Sequence, residues 1–309
     1  MEQIDNLGAI YNPAKLTLIS FQKGGIGNQL FQQIFAQSLA HKLQANVLHD
    51  ISFYAADPYN NQSVLQIITP QAKVTEIAKW VGEGTYILRE GVLGSLHDQI
   101  SLPNDAKVLV LDGYWQNEGF LEPSVVKHTY EAISQSQPAL QVADKAREIS
   151  AQNNALAIHL RRRDYAHMGI CKESYYAGSI NFLLKQFPDA RLYVFSDEPN
   201  YAQQFLAVRY ENLISVSTGN DIADLYLMSL CKHFVIANSS YSWWAAYFAE
   251  DKGGLIISPK EWITLEGVLS PCPERWVNVP LAVRPFAVSL QESAEVEQYI
   301  QSFKRQLSD

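Results

Sequence analysis

The sequence predicts an α/β protein built of two doubly wound domains with largely parallel sheets. Three observations carry this. The length, 309 residues, exceeds one typical core and falls short of three. A strand, glycine turn, helix and second strand follow one another near the amino terminus. Five short apolar runs recur in the second half, each ending in polar residues.

The first element is Lys15 to Phe21 (KLTLISF), a short apolar and β-branched run that reads as a buried strand. After Gly24-Gly25-Ile26-Gly27 a helix is predicted from Asn28 to Leu43, because Phe31, Phe35, Leu39 and Leu43 fall four apart beside Leu30 and Ile34. Ala45 to His49 reads as the next strand. Residues 57–104 carry scattered Pro, Gly and Asn with weak periodicity and read as loops with short elements. Lys107 to Leu111 is a strand whose end is Asp112-Gly113-Tyr114-Trp115-Gln116-Asn117, and helices are expected over 123–135 and 139–151.

From residue 155 the pattern becomes regular. Strands are predicted at 155–160, 191–195, 213–216, 234–237 and 254–257, ending in HLRRRD, FSDE, VSTGND, ANSSYS and SPKEW. Parallel α/β sheets bind ligands at the carboxyl ends of their strands, so five polar strand ends outline a nucleotide-type crevice. The domain junction is expected within 138–155, giving domains 1–150 and 151–309. A final helix is expected over 289–308 and can pack back on either domain.

Hydrophobic residues make up 47% and charged residues 18% of the chain, a composition outside the disordered range. The net charge of −8 argues against a nucleic-acid partner, whose phosphates supply most of such affinity. Cys171, Cys231 and Cys272 are widely spaced and odd in number, which points to reduced thiols in a cytoplasmic setting. The amino terminus has neither a basic nor an apolar signal region, and no run of 18 apolar residues occurs. Peripheral attachment to a membrane is compatible with all of this.

Against an acidic background the run His159-Leu160-Arg161-Arg162-Arg163-Asp164 stands out. Arginine presents planar paired donors that match phosphate oxygens, so a diphosphate is a natural counter-charge; a solvated patch of Arg–Asp pairs is the plainer alternative. Gly24-Gly25-Ile26-Gly27-Asn28 is a tight turn that lets backbone amides approach an anion, or simply a turn in which Asn28 caps the helix. Ser239, Ser240 and Ser242 stand where a strand gives way to a helix, suited to phosphate binding or to capping. Trp243 and Trp244 beside them read as core packing in preference to ligand contacts. Asp197-Glu198 ends another strand. The chain contains no Asp-x-Asp, the usual divalent-cation clamp for a nucleoside diphosphate, so a carboxylate there suits the N–H groups of a guanine ring. His159 alone is more often a structural histidine than a base.

Four ordered segments resemble the bacterial α-1,2-fucosyltransferases of glycosyltransferase family 11. These are GGIGNQLFQ at 24–32, DGYWQN at 112–117, HLRRRDY at 159–165 and DLYLMSLCKHFVIANSSYSWWAAYF at 224–248. One position departs: Arg163 stands where that family usually has Gly. The resemblance implies a GT-B fold of two facing Rossmann-like domains, with the donor mainly in the carboxyl-terminal one. It implies inverting transfer of fucose from GDP-β-L-fucose to the 2-hydroxyl of a terminal galactose of a glycan acceptor, with no cofactor and no metal. On that basis Arg161 is assigned to the pyrophosphate and Arg162 to organising the turn. His159, Gly25, Gly27, Asn28, Ser239, Ser240 and Tyr241 are further donor contacts, and Asp197 is a guanine reader. Asp164 and His159 are the general-base candidates, and Tyr114, Trp115 and Gln116 the acceptor candidates. The rival readings are another nucleotide-sugar transferase of the same fold, which nucleotide preference would separate, and a non-catalytic glycan- or nucleotide-binding protein, which GDP release would separate.

Overall fold

The computed structural model describes residues 12, 14–57, 61–90, 102–162, 169–263, 270–280, 282–284 and 291–308. The chain divides into two compact units, 1–136 and 137–309. Among the described residues no helix is long and apolar enough to cross a membrane.

The first unit runs β1 (Thr17–Phe21), α1 (Ile26–Leu43), β2 (Asn46–Asp50), α2 (Leu65–Ile68), β3 (Val74–Thr75), β4 (Thr85–Arg89), β5 (Val108–Asp112) and α3 (Pro123–Ser134). Its described strands form one parallel sheet in the order β3-β2-β1-β5-β4. Leu18, Leu109 and Leu111 pack with Phe35, Ala36 and Leu39 of α1 on one face, while Ile19, Leu48, Val108 and Val110 meet Ile77 and Trp80 on the other. Gln44, at φ 52°, ends α1 in the left-handed conformation, so the Ala45 amide reaches the Ala40 carbonyl at 2.9 Å and the chain turns straight into β2.

Two features of this unit differ from the sequence reading. The helix is buried on more than its apolar stripe, because Gln29, Gln32 and Gln33 are buried too. Gln32 exchanges hydrogen bonds with both backbone groups of Lys23, and Gln29 ties the Gly24 and Gln62 carbonyls and the Val64 amide, so its polar atoms hold the turns that flank β1. Residues 57–104, read as loops with short elements, include an edge strand, β4, which among the described residues pairs with β5 alone.

The second unit comprises α4 (Gln137–Gln141), α5 (Ala143–Ser150), β6 (Ala155–Leu160), β7 (Ile170–Cys171), α6 (Glu173–Gln186), β8 (Arg191–Ser196), α7 (Pro199–Leu206), β9 (Leu213–Val216), α8 (Asp221–Ser229), β10 (His233–Val235), α9 (Ser240–Phe248), β11 (Ile256–Pro259), β12 (Val277–Val279), β13 (Val283–Arg284) and α10 (Gln291–Ser308). The described strands of its main sheet run β12-β11-β10-β6-β8-β9, all parallel. Numbered within the sheet this is 3-2-1-4-5-6, the doubly wound dinucleotide-binding order, in which β7 and β13 form a separate antiparallel ribbon. The five strands read from apolar runs are β6, β8, β9, β10 and β11; β12, only three residues long, carries too little pattern to be read.

The boundary between the units falls before α4, earlier than the expected junction, because α4 and α5 pack on α8 of the second unit. The helix expected over 139–151 is broken at Val142 into these two. The terminal helix α10 packs within the second unit, where Ile300, Val296, Tyr299 and Phe303 join the core of Phe182 and Leu183.

Burial keeps two structural histidines neutral. The His49 ring on β2 lies fully inside, with neither nitrogen partnered among the described residues, and desolvation lowers its pKa to about 4. His233 accepts from the Leu255 amide at 3.0 Å and stacks on Phe187, and burial likewise lowers it to about 4. The unfolded chain therefore binds protons below about pH 6.5 that the folded chain refuses, so stability rises with pH through this window. Denaturant unfolding is expected to show constant stability above about pH 6.5 and a loss of roughly 1.4 kcal/mol per pH unit for each such group between there and pH 4. His49→Asn should flatten that slope, and equal stability at pH 7 and 5 would contradict the account.

Candidate active site

In the second sheet the connections run to one side of β6 through β8 and β9, then reverse to its other side through β10. The switch point lies between the carboxyl ends of β6 and β10, where open α/β sheets bind ligands. Register places Leu160 opposite Ser196 and Ile158 opposite Val235. Arg161 and Arg162 therefore emerge beside Asp197 and Glu198 on one flank and beside the 236–240 segment on the other.

The two acidic residues hold the two arginines. The Arg162 amide donates to both Asp197 oxygens, at 3.1 and 3.3 Å, and Arg161 Nε lies 3.3 Å from Asp197 Oδ2. Arg162 Nε meets Glu198 Oε2 at 3.2 Å, and its guanidinium lies 3.7 Å above the Tyr201 ring, whose hydroxyl donates to Glu173 at 2.6 Å. Arg162 is thus fixed by a carboxylate at its edge and an aromatic ring on its face. Asp197 shapes the arginine turn itself, a role that its reading as a guanine contact did not include. Arg163 and Asp164 lie outside the described residues.

His159, the last inward residue of β6 but one, is 3% exposed. Burial, followed by the charge of Arg161, lowers its pKa to about 3. A ring that burial holds neutral is a weak base, which disfavours His159 as the general base and suits it to a neutral hydrogen-bonding role. Its ring centre lies 5.6 Å from that of Tyr241, and the Tyr241 hydroxyl donates to the Asp221 carbonyl at the start of α8, at 2.6 Å.

Across the switch point Ser239 precedes α9 in extended conformation and makes no side-chain cap bond, and Ser240 is the first helical residue; both are buried. The first turn of α9 carries no acidic residue, so its amide dipoles favour an anion there. Trp243 and Trp244 are fully buried, and the Trp243 indole donates to the Pro271 carbonyl. They brace α9 from within. Among the described residues no group of three or more His, Cys, Asp or Glu is placed to hold a metal ion.

The first unit gathers its own predicted residues at the corresponding switch between β1 and β5. Gly24 sits at φ +78°, where a Cβ would lie 2.7 Å from Asn28 Nδ2, so the turn requires glycine. Gly25 is the N-cap of α1 and Gly27 lies in its first turn. Asn28 does not cap the helix; its Oδ1 accepts from Gln116 Nε2 at 2.7 Å and joins the ends of the two strands. Trp115 has to be withdrawn as an acceptor contact. At φ 58° its ring turns into the core, 1% exposed, and stacks on Phe35 at 4.3 Å. Tyr114, 40% exposed, remains available.

Residues not singled out from sequence complete this cluster. Lys23 Nζ lies 2.8 Å from Asp112 Oδ1 and 5.1 Å from the Tyr114 ring centre, and Glu90 accepts from the Tyr114 amide at 2.6 Å. The Lys23 hydrogen bond, with Arg89 adding at 3.4 Å, holds the Asp112 carboxyl below its ordinary range. The strand-end rule that singled out the arginines applies equally to Lys23, which follows β1 by two residues.

Comparison with known proteins agrees with this geometry. A structure of a mutant of Arabidopsis thaliana FUT1 in complex with GDP superposes with a TM-score of 0.52 at 13% identity, over 86% of this chain and 76% of that one. Fucosyltransferase NodZ from Bradyrhizobium aligns at 12% identity and a TM-score of 0.47, over 75% and 92%. The fold is of the GT-B class, with a Rossmann-like sheet in each unit. Among curated proteins an α-1,2-colitosyltransferase of Escherichia coli is 32% identical over 181 residues, 54% of this chain; the match spans about three-fifths (61%) of that protein's length. The O-antigen biosynthesis glycosyltransferase WbnK of Escherichia coli is 24% identical over 306 residues, covering 85% of this chain and all of WbnK. The profile of glycosyl transferase family 11 matches residues 79–266, a span that begins before β4 and ends beyond β11. That span is more than half of the chain and contains both arginines, their acidic partners and the serine-rich strand end, and the chain therefore belongs to glycosyl transferase family 11.

Proposed function

We propose that this chain transfers L-fucose from GDP-β-L-fucose to the 2-hydroxyl of a terminal galactose, forming an α-1,2 linkage with inversion and without a metal. The observation that carries the reading is the pair Arg161–Arg162, fastened by Asp197 and Glu198 at the switch point of a dinucleotide-type sheet. In a single displacement the glycosidic C–O bond loosens before the acceptor oxygen closes, and negative charge collects on the departing diphosphate. Arg161, preorganised by Asp197, is assigned to that charge, with the start of α9 and Ser239 and Ser240 completing the anion site. Arg162 is a positioning residue. Neutral His159 donates a hydrogen bond and takes no proton. Asp164 stays the carboxylate candidate for the acceptor proton on the motif alone. Acceptor contacts are assigned to Tyr114 and Gln116.

A second reading concerns the sugar. The relationship to an α-1,2-colitosyltransferase favours colitose, which is fucose without its 3-hydroxyl, as an alternative transferred group with the same linkage. A donor panel of GDP-fucose, GDP-colitose and UDP-sugars, assayed for GDP release with galactose-terminated acceptors, separates the two. The expected order is GDP-fucose first, with turnover unchanged by EDTA. A UDP preference would reject the donor assignment, and strong EDTA inhibition would reject the metal-free one.

Arg161→Ala is expected to lower kcat roughly 100- to 1,000-fold, the cost of one preorganised donor at developing charge. Near-normal kcat would remove Arg161 from the mechanism. Because the His159 imidazole stays neutral well below pH 6.5, kcat/KM of the wild type and of His159→Asn should follow the same pH dependence between pH 5.5 and 8, at different absolute rates. An ionisation near pH 6.5 that vanishes in His159→Asn would show that this ring titrates in turnover.

A further inference from the structure

The segment after β10 contains a fully buried carboxamide whose hydrogen bonds all leave its own strand. Asn238 is 0% exposed. Its Nδ2 donates to the Gly169 carbonyl and to the Trp262 carbonyl, each at 2.9 Å, and its Oδ1 lies 3.5 Å from the Cys171 thiol. Two carbonyls can be satisfied only by donors, so the orientation of the amide is determined by its partners.

These partners lie on different loops. The chain leaves β6 through Arg161 and Arg162 and re-enters the described structure at Gly169; Trp262 follows β11. β10 lies between β6 and β11 in the sheet. One side chain just past the middle strand therefore fastens Gly169 and Trp262, directly before the Ser239-Ser240 start of α9. Arg161 and Arg162, leaving β6, are tied by Asp197 and Glu198, and Asn238 ties Gly169.

We infer that Asn238 is a positioning residue for the donor site: it sets Gly169, before β7, and Trp262, after β11, against the amino end of α9. The inference rests on the second unit holding the nucleotide, as proposed above. The side chain suits this work. Asp has nearly the same volume but, ionised, no donor and would set its oxygens against two carbonyls, Ala removes the donors to both carbonyls, and Gln is one methylene too long for a residue with no exposed surface.

A matched control exists in the same unit. Asn278 on β12 also donates to two carbonyls, Pro273 at 2.8 Å and Trp276 at 3.2 Å, and accepts from Ser258 at 2.8 Å, but it secures the turn before its own strand. Calorimetric titration of GDP, UDP and GDP-fucose into wild type, Asn238→Asp, Asn238→Ala and Asn278→Ala tests the role, at a temperature where circular dichroism shows each folded. Both Asn238 variants are expected to weaken GDP binding and raise the donor KM about tenfold or more, leaving the acceptor KM unchanged, while Asn278→Ala binds within about twofold of wild type. Wild-type affinity in the Asn238 variants, or equal weakening in Asn278→Ala, would overturn the assignment, and so would failure of both Asn238 variants to fold, which would mark the residue as structural. If the wild type prefers UDP, the donor proposal fails and the same comparison with UDP decides Asn238. If the wild type binds no nucleotide, both fall.

Discussion

The carboxylate of Asp197 is the contact on which the candidate site depends. It takes the Arg162 amide on both oxygens and lies beside the Arg161 guanidinium, so one acidic side chain sets the backbone turn and the direction of a cation together. Without it, adjacent arginines leaving a buried strand would repel one another and spread into solvent. The arrangement is possible because β6 and β8 pair in parallel with Leu160 opposite Ser196, which brings the next residue of each strand into reach. Glu198 and Tyr201 extend the same logic to Arg162, one by charge at the guanidinium edge and one by contact with its face. In a chain of net charge −8, the local acids are used to orient the cations, not merely to neutralise them.

Buried polar side chains serve as fasteners elsewhere. Gln29 and Gln32 of α1 hold the turns around β1, Gln116 bonds Asn28 across the first switch point, and Asn238 laces two loops of the second sheet. Carboxamides suit this work because each carries two donors and an acceptor in one plane, and a loop near a strand end offers unpaired carbonyls that must be satisfied. The cost is that each needs a nearly dry, shape-matched setting.

The two units repeat one device with different chemistry. Each places a polar cluster where the sheet order reverses, around Gly24 and Tyr114 in the first and around Arg161 and Ser239 in the second. The second sets two arginines, each paired with a carboxylate, beside a helix start that carries no acidic residue. The first is balanced, with Lys23 and Arg89 offset by Asp112 and Glu90, and offers an exposed tyrosine ring.

By itself the sequence determined the α/β class, five of the strands in the second unit, the glycine turn, the arginine run and, through four ordered motifs, the family. These are local features: apolar runs of strand length, helical spacing in α1 and residue types at strand ends all follow from neighbours along the chain. Only the tertiary structure decided partners. Strand register put Asp197 beside the arginines, a contact its reading as a guanine contact did not include, and burial holds the His159 ring neutral, as suits the structural histidine that its residue type alone suggests. Trp115 looked like a sugar platform, but a left-handed backbone at that position turned its ring into the core. The edge strand β4 lay within a span read as loops with short elements, and the three-residue β12 was hidden because brevity leaves little pattern. The feature the sequence pointed to most firmly, a pair of cations at a strand end, stands where it was expected; what holds it there comes from a neighbouring strand, and pairing between strands is settled only when the sheet forms.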